Sequence, residues 1–221
     1  MRKREGRLCP PVAFRRQKGH TESRKNVFRH NPFTEDKSMK KALVIYANGS
    51  EDLEVTAAAD ILNRGGIAVT RGGVGGKTVT LAHGTRVTCD APVEECGGDF
   101  DAIIIPGGLD GSNNCAACAP LVEKLKAQRA AGRWVCAICA APGFVLARHG
   151  LLDGGVKATC YPGCGDSAIA GLQPDGVVVD SDAHVITGKG PGFAIPFALA
   201  IVEALAGGDA RMKVEAGMLL R

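Results

Sequence analysis

The stretch that decides the fold is Trp134-Val-Cys-Ala-Ile-Cys-Ala-Ala-Pro-Gly-Phe-Val-Leu146. Its first five residues are a short apolar run that follows Arg133 and is typical of a buried strand. After Cys139 the run gives way to Ala-Ala-Pro-Gly and then to apolar residues at helical spacing. Proline is tolerated in the first turn of a helix, because an N–H there would be unpaired anyway. The stretch therefore predicts a strand, a tight turn and a helix, with Cys139 at the bend, where a nucleophile elbow exposes its reactive atom.

Outside this stretch the chain alternates between strand and helix patterns from Lys41 onward. Because the long predicted strands are continuous apolar runs, the sequence predicts an α/β fold with a mainly parallel sheet. The loops 48–54, 106–110 and 139–143 are expected to meet beyond the carboxyl ends of the strands, where such sheets bind ligands. The predicted strands are Ala42–Ala47, Ile67–Arg71, Val79–Leu81, Arg86–Cys89, Ala102–Ile105, Trp134–Ile138, Val156–Cys160, Val177–Asp180 and His184–Thr187. Gly72–Lys77 is predicted to be a glycine-rich connection. Three helices are predicted: the first is capped by Ser50 and runs to about Arg64, the second is Leu121–Ala131 and the third is Gly190–Ala206.

Charge divides the 221 residues into two parts. Residues 1–38 hold eleven Lys/Arg against four Asp/Glu, a balance of +7, whereas the remainder holds 16 against 19, a balance of −3. Because residues 1–38 also lack apolar periodicity, we predict that they are a disordered basic extension and that residues 39–221 are the folded domain. The alternative for the extension is a transit segment that would direct the protein to mitochondria, which its four acidic residues argue against.

Composition also limits the partners and the compartment. The basic pI comes from the extension, so the domain itself gives no indication of nucleic-acid binding. The nine cysteines are odd in number and have no framework spacing, which predicts a reducing, cytoplasmic setting. The longest apolar segment, Phe193–Ala206, is interrupted by Pro196 and Glu203, so no membrane span is expected.

Cys139 is the main candidate for chemistry, although a cysteine in an apolar run is more often a small buried core residue. At a strand-to-helix bend the unpaired N–H groups and the helix dipole favour a thiolate, so we expect a lowered thiol pKa. Glu54 lies in the first turn of a helix, where acids are common, and its functional role requires it to face the thiol. Gly107 and Gly108 form either a simple turn or a pair of N–H donors for an oxyanion.

Three other motifs suggest chemistry that their surroundings disfavour. Cys115–Cys118 and Cys136–Cys139 have a zinc-ribbon spacing, but residues three apart on a strand point to opposite faces, and no metal is predicted. A thioredoxin-like disulfide within the second pair would require the strand to buckle. Gly72–Lys77 resembles a phosphate-binding loop, but Arg71 stands where that motif needs glycine.

Five blocks of the sequence, taken in order, resemble one known superfamily. They are Lys41-Ala-Leu-Val-Ile45, Gly49-Ser-Glu-Asp-Leu-Glu54, Ile105-Pro-Gly-Gly108, Ala137-Ile-Cys-Ala-Ala-Pro142 and Gly190-Pro-Gly192 with Phe197–Leu205. On these blocks, residues 40–220 resemble the ThiJ/PfpI superfamily, and within it the DJ-one-like branch of deglycases and glyoxalases. Residues 1–38 have no counterpart in it.

The resemblance implies a flavodoxin-like, doubly wound sandwich with helices on both faces, and a homodimer. It also implies that Cys139 is the nucleophilic, oxidation-sensitive cysteine and that Glu54 is a protonated acid hydrogen-bonded to its sulfur. The remaining residues that it assigns to oxyanion or substrate binding, or to the dimer contact beside the pocket, are Gly107, Gly108, Ala140, Pro191 and Arg64.

Two positions depart from the pattern of close relatives. Tyr161 precedes Pro162 where relatives often have a histidine, and His83 stands where they often have an arginine. Both residues stay polar but differ in charge and reach, so the substrate preference of close relatives is not carried over to this chain. The peptidase branch and the glutamine amidotransferases need a histidine base, the former right after the cysteine. Position 140 is Ala, and no His-x-Glu pair follows Cys139, so neither activity is expected.

The resemblance implies a glutathione-independent glyoxalase III-type lyase or a protein deglycase that needs no cofactor. Its substrates would be methylglyoxal-type 2-oxoaldehydes or their early adducts on proteins, in defence against oxidative and carbonyl stress. Cys139 would add to the aldehyde and Glu54 would move a proton between adjacent carbons. The alternative is a non-enzymatic redox sensor or redox-regulated chaperone that acts through oxidation of Cys139.

Overall fold

The structure is a computed structural model that describes residues 39–220. The predicted extension at residues 1–38 lies outside the described residues. The domain is built around one sheet of seven strands flanked by helices. In chain order, the strands are β1 (Lys41–Ala47), β2 (Ala68–Val74), β3 (Thr78–Thr80), β4 (Arg86–Thr88), β5 (Ala91–Pro92), β6 (Ala102–Ile105), β7 (Trp134–Ile138), β8 (Lys157–Ala158), β9 (Gly171–Leu172), β10 (Val177–Asp180) and β11 (Val185–Gly188), and the helices are α1 (Asp52–Arg64), α2 (Leu109–Ala117), α3 (Ala119–Ala130), α4 (Ala194–Ala206) and α5 (Gly208–Gly217).

The main sheet has the order β10-β11-β7-β6-β1-β2-β5, and every neighbouring pair is parallel except β10 and β11. β1, β6 and β7 are buried along nearly their whole length, which explains their continuous apolar sequences. The predicted flavodoxin-like α/β fold with a mainly parallel sheet is therefore confirmed. The carboxyl ends of β11, β7, β6 and β1 lie side by side, so the segments that follow them meet at one edge of the sheet.

The helices cover the sheet in two layers. α1 packs on α4 and α4 packs on α5, while α2 and α3 pack on each other and on the central strands. Phe197 of α4 is fully buried, and so are Leu43 and Ile45 of β1, which shows that the core lies between the sheet and its helices. None of the helices in residues 39–220 combines the length and the apolar character needed to cross a membrane.

Several predicted boundaries are wrong. β2 continues to Val74, into the predicted glycine-rich connection, because Gly72 and Gly73 pair with β1. The predicted strand Val156–Cys160 shrinks to β8, which pairs with β9 outside the main sheet. The predicted helix that begins at Gly190 begins at Ala194, after a short helical turn over Pro191–Phe193.

The start of α1 is also corrected. The N-cap is Glu51 and not Ser50, because the Oε2 atom of Glu51 accepts a hydrogen bond from the Glu54 N–H at 2.7 Å. The Ser50 hydroxyl is turned back and accepts the Ala47 N–H at 3.0 Å, which closes the loop after β1. This correction places a second carboxylate one turn from Glu54.

Candidate active site

Cys139 lies at the bend between β7 and a short, wide helical turn over Pro142–Leu146, as predicted. Its backbone has φ = +64°, a left-handed conformation that costs a non-glycine residue about 1–2 kcal/mol. Two hydrogen bonds hold this strained residue in place: its N–H donates to the Gly188 carbonyl and its carbonyl accepts the Tyr161 N–H, both at 2.8 Å. The side chain is directed out of the strand, and 8% of the residue remains exposed.

Glu54 reaches the same place from the first turn of α1, and only 1% of it is exposed. Its Oε2 atom accepts the Gly107 N–H at 2.8 Å, while Oε1 is buried and has no hydrogen-bond partner within residues 39–220. Burial raises the pKa of Glu54 to about 7; the Gly107 N–H and the Cys139 thiol act in the opposite direction, and the Glu51 charge raises the pKa further. Glu54 is therefore a carboxyl group that gains and loses its proton near neutral pH.

The turn after β6 fits between the two side chains because Gly107 has no Cβ. A Cβ atom there would lie 2.4 Å from the Cβ of Cys139 and 2.8 Å from the Oε2 of Glu54. Gly108, at φ = +81°, is the N-cap of α2, and its backbone amide lowers the pKa of the Cys139 thiol. The backbone amide of Ala140 also lowers this pKa, so two amides favour negative charge on the sulfur.

The structure corrects the predicted role of Gly107. Its N–H is donated to Glu54, so it is not available to an oxyanion in this arrangement. The Gly108 and Ala140 amides lower the pKa of the Cys139 thiol, and their role in binding an oxyanion or a substrate stays a prediction. The sequence pattern did not predict helix α2, whose N-cap residue is Gly108. The only sequence signal for it is the pair Gly108 and Gly111, which allows close packing on the backbone of residues 49–51.

The predicted lowering of the Cys139 pKa also needs correction. Burial and the Glu54 charge raise the pKa of the thiol to about 12, while the Gly108 and Ala140 amides lower it. Once Glu54 carries a proton its charge is gone, and the amides then favour the thiolate. The pair therefore holds a single negative charge, and loss of the thiol proton is coupled to its uptake by Glu54.

Tyr161 lies beside Cys139, because its N–H donates to the Cys139 carbonyl at 2.8 Å, and the predicted role of Tyr161 and Pro191 in substrate binding stays a prediction. Both line an open cleft of about 360 Å³. His83 lies on the other side, where its N–H donates to Asp52 at 2.8 Å and its Nε2 atom is 3.7 Å from Glu51. It therefore touches the cap of α1 and not the sulfur.

Arg64 lies at the opposite end of α1 from Glu54. At the helical rise of 1.5 Å per residue, ten residues separate the two by about 15 Å. Its guanidinium pairs with Asp60 at 2.7 Å on the exposed side of the helix. The structure does not bring Arg64 to the thiol, and its place in a dimer contact stays a prediction.

The match to known proteins is consistent across the domain. Residues 40–204 match the model of the DJ-1/PfpI family. The chain belongs to the DJ-1/PfpI family. It is 39% identical over 184 residues to the protein dj-1beta of Drosophila melanogaster, an alignment that covers 82% of this chain and 97% of the relative. The crystal structure of Drosophila melanogaster DJ-1beta has a TM-score of 0.77 at 37% identity, covering 82% of this chain and 98% of the other.

A second relative in the DJ-1/PfpI family is named after an enzymatic activity. The glutathione-independent glyoxalase DJR-1.2 of Caenorhabditis elegans is 39% identical over 174 residues, which cover 77% of this chain and 91% of that protein. The resemblance on which the sequence analysis relied is therefore confirmed at the level of the family.

Metal ligation was the strongest alternative suggested by the cysteine spacing of this DJ-1/PfpI chain. Within residues 39–220, no group of three or more His, Cys, Asp or Glu side chains could hold a metal ion. The eight cysteines of that range are all free thiols. Cys115 and Cys136 are fully buried, and burial raises the pKa of both thiols.

The contact at Gly107 leads to a first prediction for this DJ-1/PfpI site. In Gly107→Ala, the new Cβ would overlap with Cys139, so we expect the chain to lose about 1–3 kcal/mol of unfolding free energy and to lose the thiol–carboxyl geometry. Urea unfolding and the titration of the Cys139 thiol with a maleimide would measure the two effects. Gly97→Ala is the matched control, because a Cβ at that position meets nothing within 4 Å. Equal stability and equal thiol reactivity in both variants would contradict the prediction.

Proposed function

We propose that this chain is a glutathione-independent glyoxalase that converts 2-oxoaldehydes such as methylglyoxal into 2-hydroxy acids. The observation that supports this function most directly is the pairing of the Cys139 thiol with a buried Glu54 carboxyl whose pKa is about 7. A thiol that adds to an aldehyde needs a nearby base, and a general base works best when its pKa is near the working pH. The relative named as a glyoxalase supports the same activity.

The reaction begins when the Cys139 sulfur attacks the aldehyde carbon and the thiol proton passes to Glu54. Glu54 then passes this proton to the aldehyde oxygen, and the product is a hemithioacetal in which the carbonyl carbon is still next to the former aldehyde carbon. The Glu54 carboxylate removes the proton from the former aldehyde carbon and returns it to the neighbouring carbon, while the hydroxyl proton moves to the neighbouring oxygen. These two proton shifts convert the hemithioacetal into a thioester. Water hydrolyses the thioester, releasing the 2-hydroxy acid and the free thiol.

The amides around the sulfur support the first step. The N–H groups of Gly108 and Ala140 stabilise negative charge on the sulfur while Glu54 holds the proton. Strain at Cys139 keeps the sulfur at the edge of the sheet and not within the strand. The same attack on an early adduct of a 2-oxoaldehyde with a cysteine, lysine or arginine would release the unmodified side chain, which is the deglycase activity.

The proposal is tested by incubating the purified chain with methylglyoxal in a buffer without glutathione and assaying lactate. We expect lactate to form catalytically, at many turnovers per chain. A second measurement with a methylglyoxal-modified peptide asks whether the free side chain is recovered. Absence of lactate above the buffer rate would reject the glyoxalase function, and absence of peptide recovery would reject the deglycase function alone.

A redox sensor is the second candidate, and one observation favours it. The Cys139 residue retains 8% exposure, and the amides that favour a thiolate would also stabilise an oxidised, anionic sulfur. Limited peroxide treatment followed by peptide mass spectrometry is expected to add oxygen to Cys139 first. Earlier oxidation of any other cysteine would count against this function.

The homodimer is proposed on the basis of an apolar surface. Leu53, Ile195 and Leu220 line an open cleft of about 510 Å³ between α1, α4 and the C-terminal residues, and Leu53 and Leu220 are exposed. Exposed apolar surface of this kind marks protein–protein contacts. Light scattering on the purified chain should give twice the mass of one chain, and a monomer mass that stays constant with concentration would reject the dimer.

A further inference from the structure

The thiol of Cys160 lies against the backbone of Cys139. Its Sγ atom is 3.3 Å from the carbonyl oxygen of Cys139 and 3.3 Å from the carbonyl oxygen of Cys164. Only 3% of Cys160 is exposed, and burial raises the pKa of its thiol to about 11. At neutral pH the sulfur therefore carries a proton, which it can donate to either carbonyl. The reaction proposed above gives this thiol no role.

A tight turn brings Cys164 back to Cys160. The N–H of Cys164 donates to the Tyr161 carbonyl at 3.1 Å, which folds the chain back on itself. A carbonyl oxygen lies about 2.4 Å from the Cα atom of its own residue, so the Cys160 sulfur is within about 6 Å of the Cys164 Cα atom. Rotation of the Cys164 side chain about its Cα–Cβ bond is then enough to bring the two sulfur atoms together.

The backbone around Cys164 allows this adjustment on one side and is anchored on the other. Gly163 and Gly165 flank Cys164, and both have φ = +80°, a conformation that glycine adopts without strain. The Cys164 carbonyl packs on the backbone of Gly143, where a Cβ atom would lie 2.0 Å from its oxygen. Because Gly143 belongs to the helical turn that follows Cys139, the Cys164 turn contacts the chain on that side of Cys139 as well.

A small oxidant has access to the pair. Cys160 lines an open cleft of about 320 Å³, together with Pro162, Asp166 and Lys189. Cys164 is 7% exposed. Hydrogen peroxide is far smaller than a cleft of this volume, so it can reach the sulfur of Cys160 from solvent.

We propose that Cys160 and Cys164 are a second redox site, which hydroperoxides convert into a disulfide that acts on the backbone of Cys139. One of the two sulfurs, as a thiolate, attacks the peroxide and becomes a sulfenic acid, while the other peroxide oxygen leaves as water or an alcohol. The second thiol then attacks the sulfenic sulfur, which forms the S–S bond and releases water. The two thiols lose two electrons and two protons, one peroxide is reduced, and a dithiol reductant reverses the change.

The disulfide changes the support of Cys139 without touching its sulfur. Oxidation removes the S–H of Cys160, so the Cys139 carbonyl loses this donor. The N–H of Tyr161, which donates to the same carbonyl at 2.8 Å, becomes part of the ring that the disulfide closes. The site does not depend on the proposed function, because neither Cys160 nor Cys164 takes part in that reaction.

The test uses the full chain with Cys139→Ser, so that the thiol of residue 139 cannot consume the oxidant. The chain is treated with hydrogen peroxide at about pH 9, where more of each thiol is ionised, then alkylated with iodoacetamide and digested with trypsin. Residues 158–189 form one tryptic peptide, and its cysteines are Cys160 and Cys164. We expect this peptide to be lighter by two hydrogens and to carry no alkyl group. Dithiothreitol added before alkylation should restore two alkyl groups.

Two variants of the Cys139→Ser chain separate this pair from the other cysteines. Cys164→Ala removes one sulfur and should abolish the internal disulfide of the 158–189 peptide. Cys118→Ala is the matched control, since Cys118 is a half-buried free thiol outside this turn, and the disulfide should form as before. Two alkyl groups after peroxide, added oxygen without an S–S bond, or a disulfide to any other cysteine would overturn the proposal.

The effect on residue 139 is measured by NMR on the same ¹⁵N-labelled chain. The Ala140 N–H belongs to the peptide unit of the Cys139 carbonyl, and it is distant in sequence from Cys160. We expect its resonance to shift when the disulfide forms and to return with dithiothreitol, while the Val122 amide on α3 stays unchanged. An Ala140 resonance that does not move in the disulfide form would overturn the action on Cys139. Neither measurement requires turnover, so both hold if the glyoxalase assay fails.

Discussion

Cys139→Ser is expected to abolish lactate formation from methylglyoxal, with a loss in kcat of about three orders of magnitude or more. A serine hydroxyl is far less acidic than a thiol, and a Glu54 carboxyl with a pKa of about 7 is too weak a base to ionise it. The fold should survive, because serine differs from cysteine by one atom and keeps the two backbone hydrogen bonds at position 139. Lactate assays and urea unfolding of the same preparation would measure activity and stability together.

Cys118→Ser is the matched control for this result. Cys118 is a half-buried free thiol at the junction of α2 and α3, away from the carboxyl ends of the strands. We expect this variant to retain the activity of the unmodified chain. If Cys139→Ser kept more than about a tenth of the lactate rate, the thiol would not be the nucleophile.

Glu54→Gln is expected to lower kcat by about 10²–10⁴-fold, the contribution that a positioned acid–base group makes. The glutamine oxygen can still accept the Gly107 N–H, so the turn after β6 keeps its anchor. What the variant loses is the ability to take the thiol proton and to return a proton to the neighbouring carbon. Glu123→Gln, on the exposed face of α3, removes a surface carboxylate and serves as the control. A kcat within threefold of the unmodified chain would contradict the proton-transfer role.

The same variant should change how stability depends on pH. Burial raises the pKa of Glu54 from 4.5 to about 7, so the folded chain holds this proton more tightly than the unfolded chain. The resulting stability is fully present below about pH 4.5 and is lost as the pH rises to about 7, an effect of about 3 kcal/mol. Urea unfolding between pH 4.5 and 8 should therefore show a decline in the unmodified chain that is absent in Glu54→Gln. Identical pH profiles for the two chains would show that Glu54 does not titrate in this range.

The sequence predicted the central strands of the sheet better than the elements around them. The bounds of β6 and β7 were predicted correctly, because each is a continuous apolar run closed by a sharp change in composition. Helix α2 was missed, since Leu-Asp-Gly-Ser-Asn-Asn-Cys-Ala-Ala contains poor helix formers and no apolar stripe. Packing makes it helical: a Cβ at Gly111 would lie 2.5 Å from the Cα of Ser50, so only glycine allows this close approach.

The site could be predicted in outline but not in its electrostatics. The strand-turn-helix pattern placed Cys139 correctly, and parallel-strand geometry brought Glu54 and the glycine turn to it. The pKa of the Cys139 thiol depends on how deeply Cys139 and Glu54 are buried and on the charge of Glu54. Neither the burial nor the charge can be obtained from residue spacing. Glu51 is the N-cap that the sequence pattern assigned to Ser50, and its charge raises the pKa of Glu54 further.

Because of the left-handed backbone at Cys139, selection for stability and selection for activity favour different residues at this position. Glycine adopts φ = +64° without penalty, so replacing Cys139 by glycine would relieve the strain. Replacing Glu54 by glutamine would likewise remove a buried charge. A directed-evolution screen for heat resistance alone would therefore select these two substitutions and yield a more stable but inactive protein. Stabilising this chain while keeping its chemistry requires that positions 54 and 139 be fixed before any library is made.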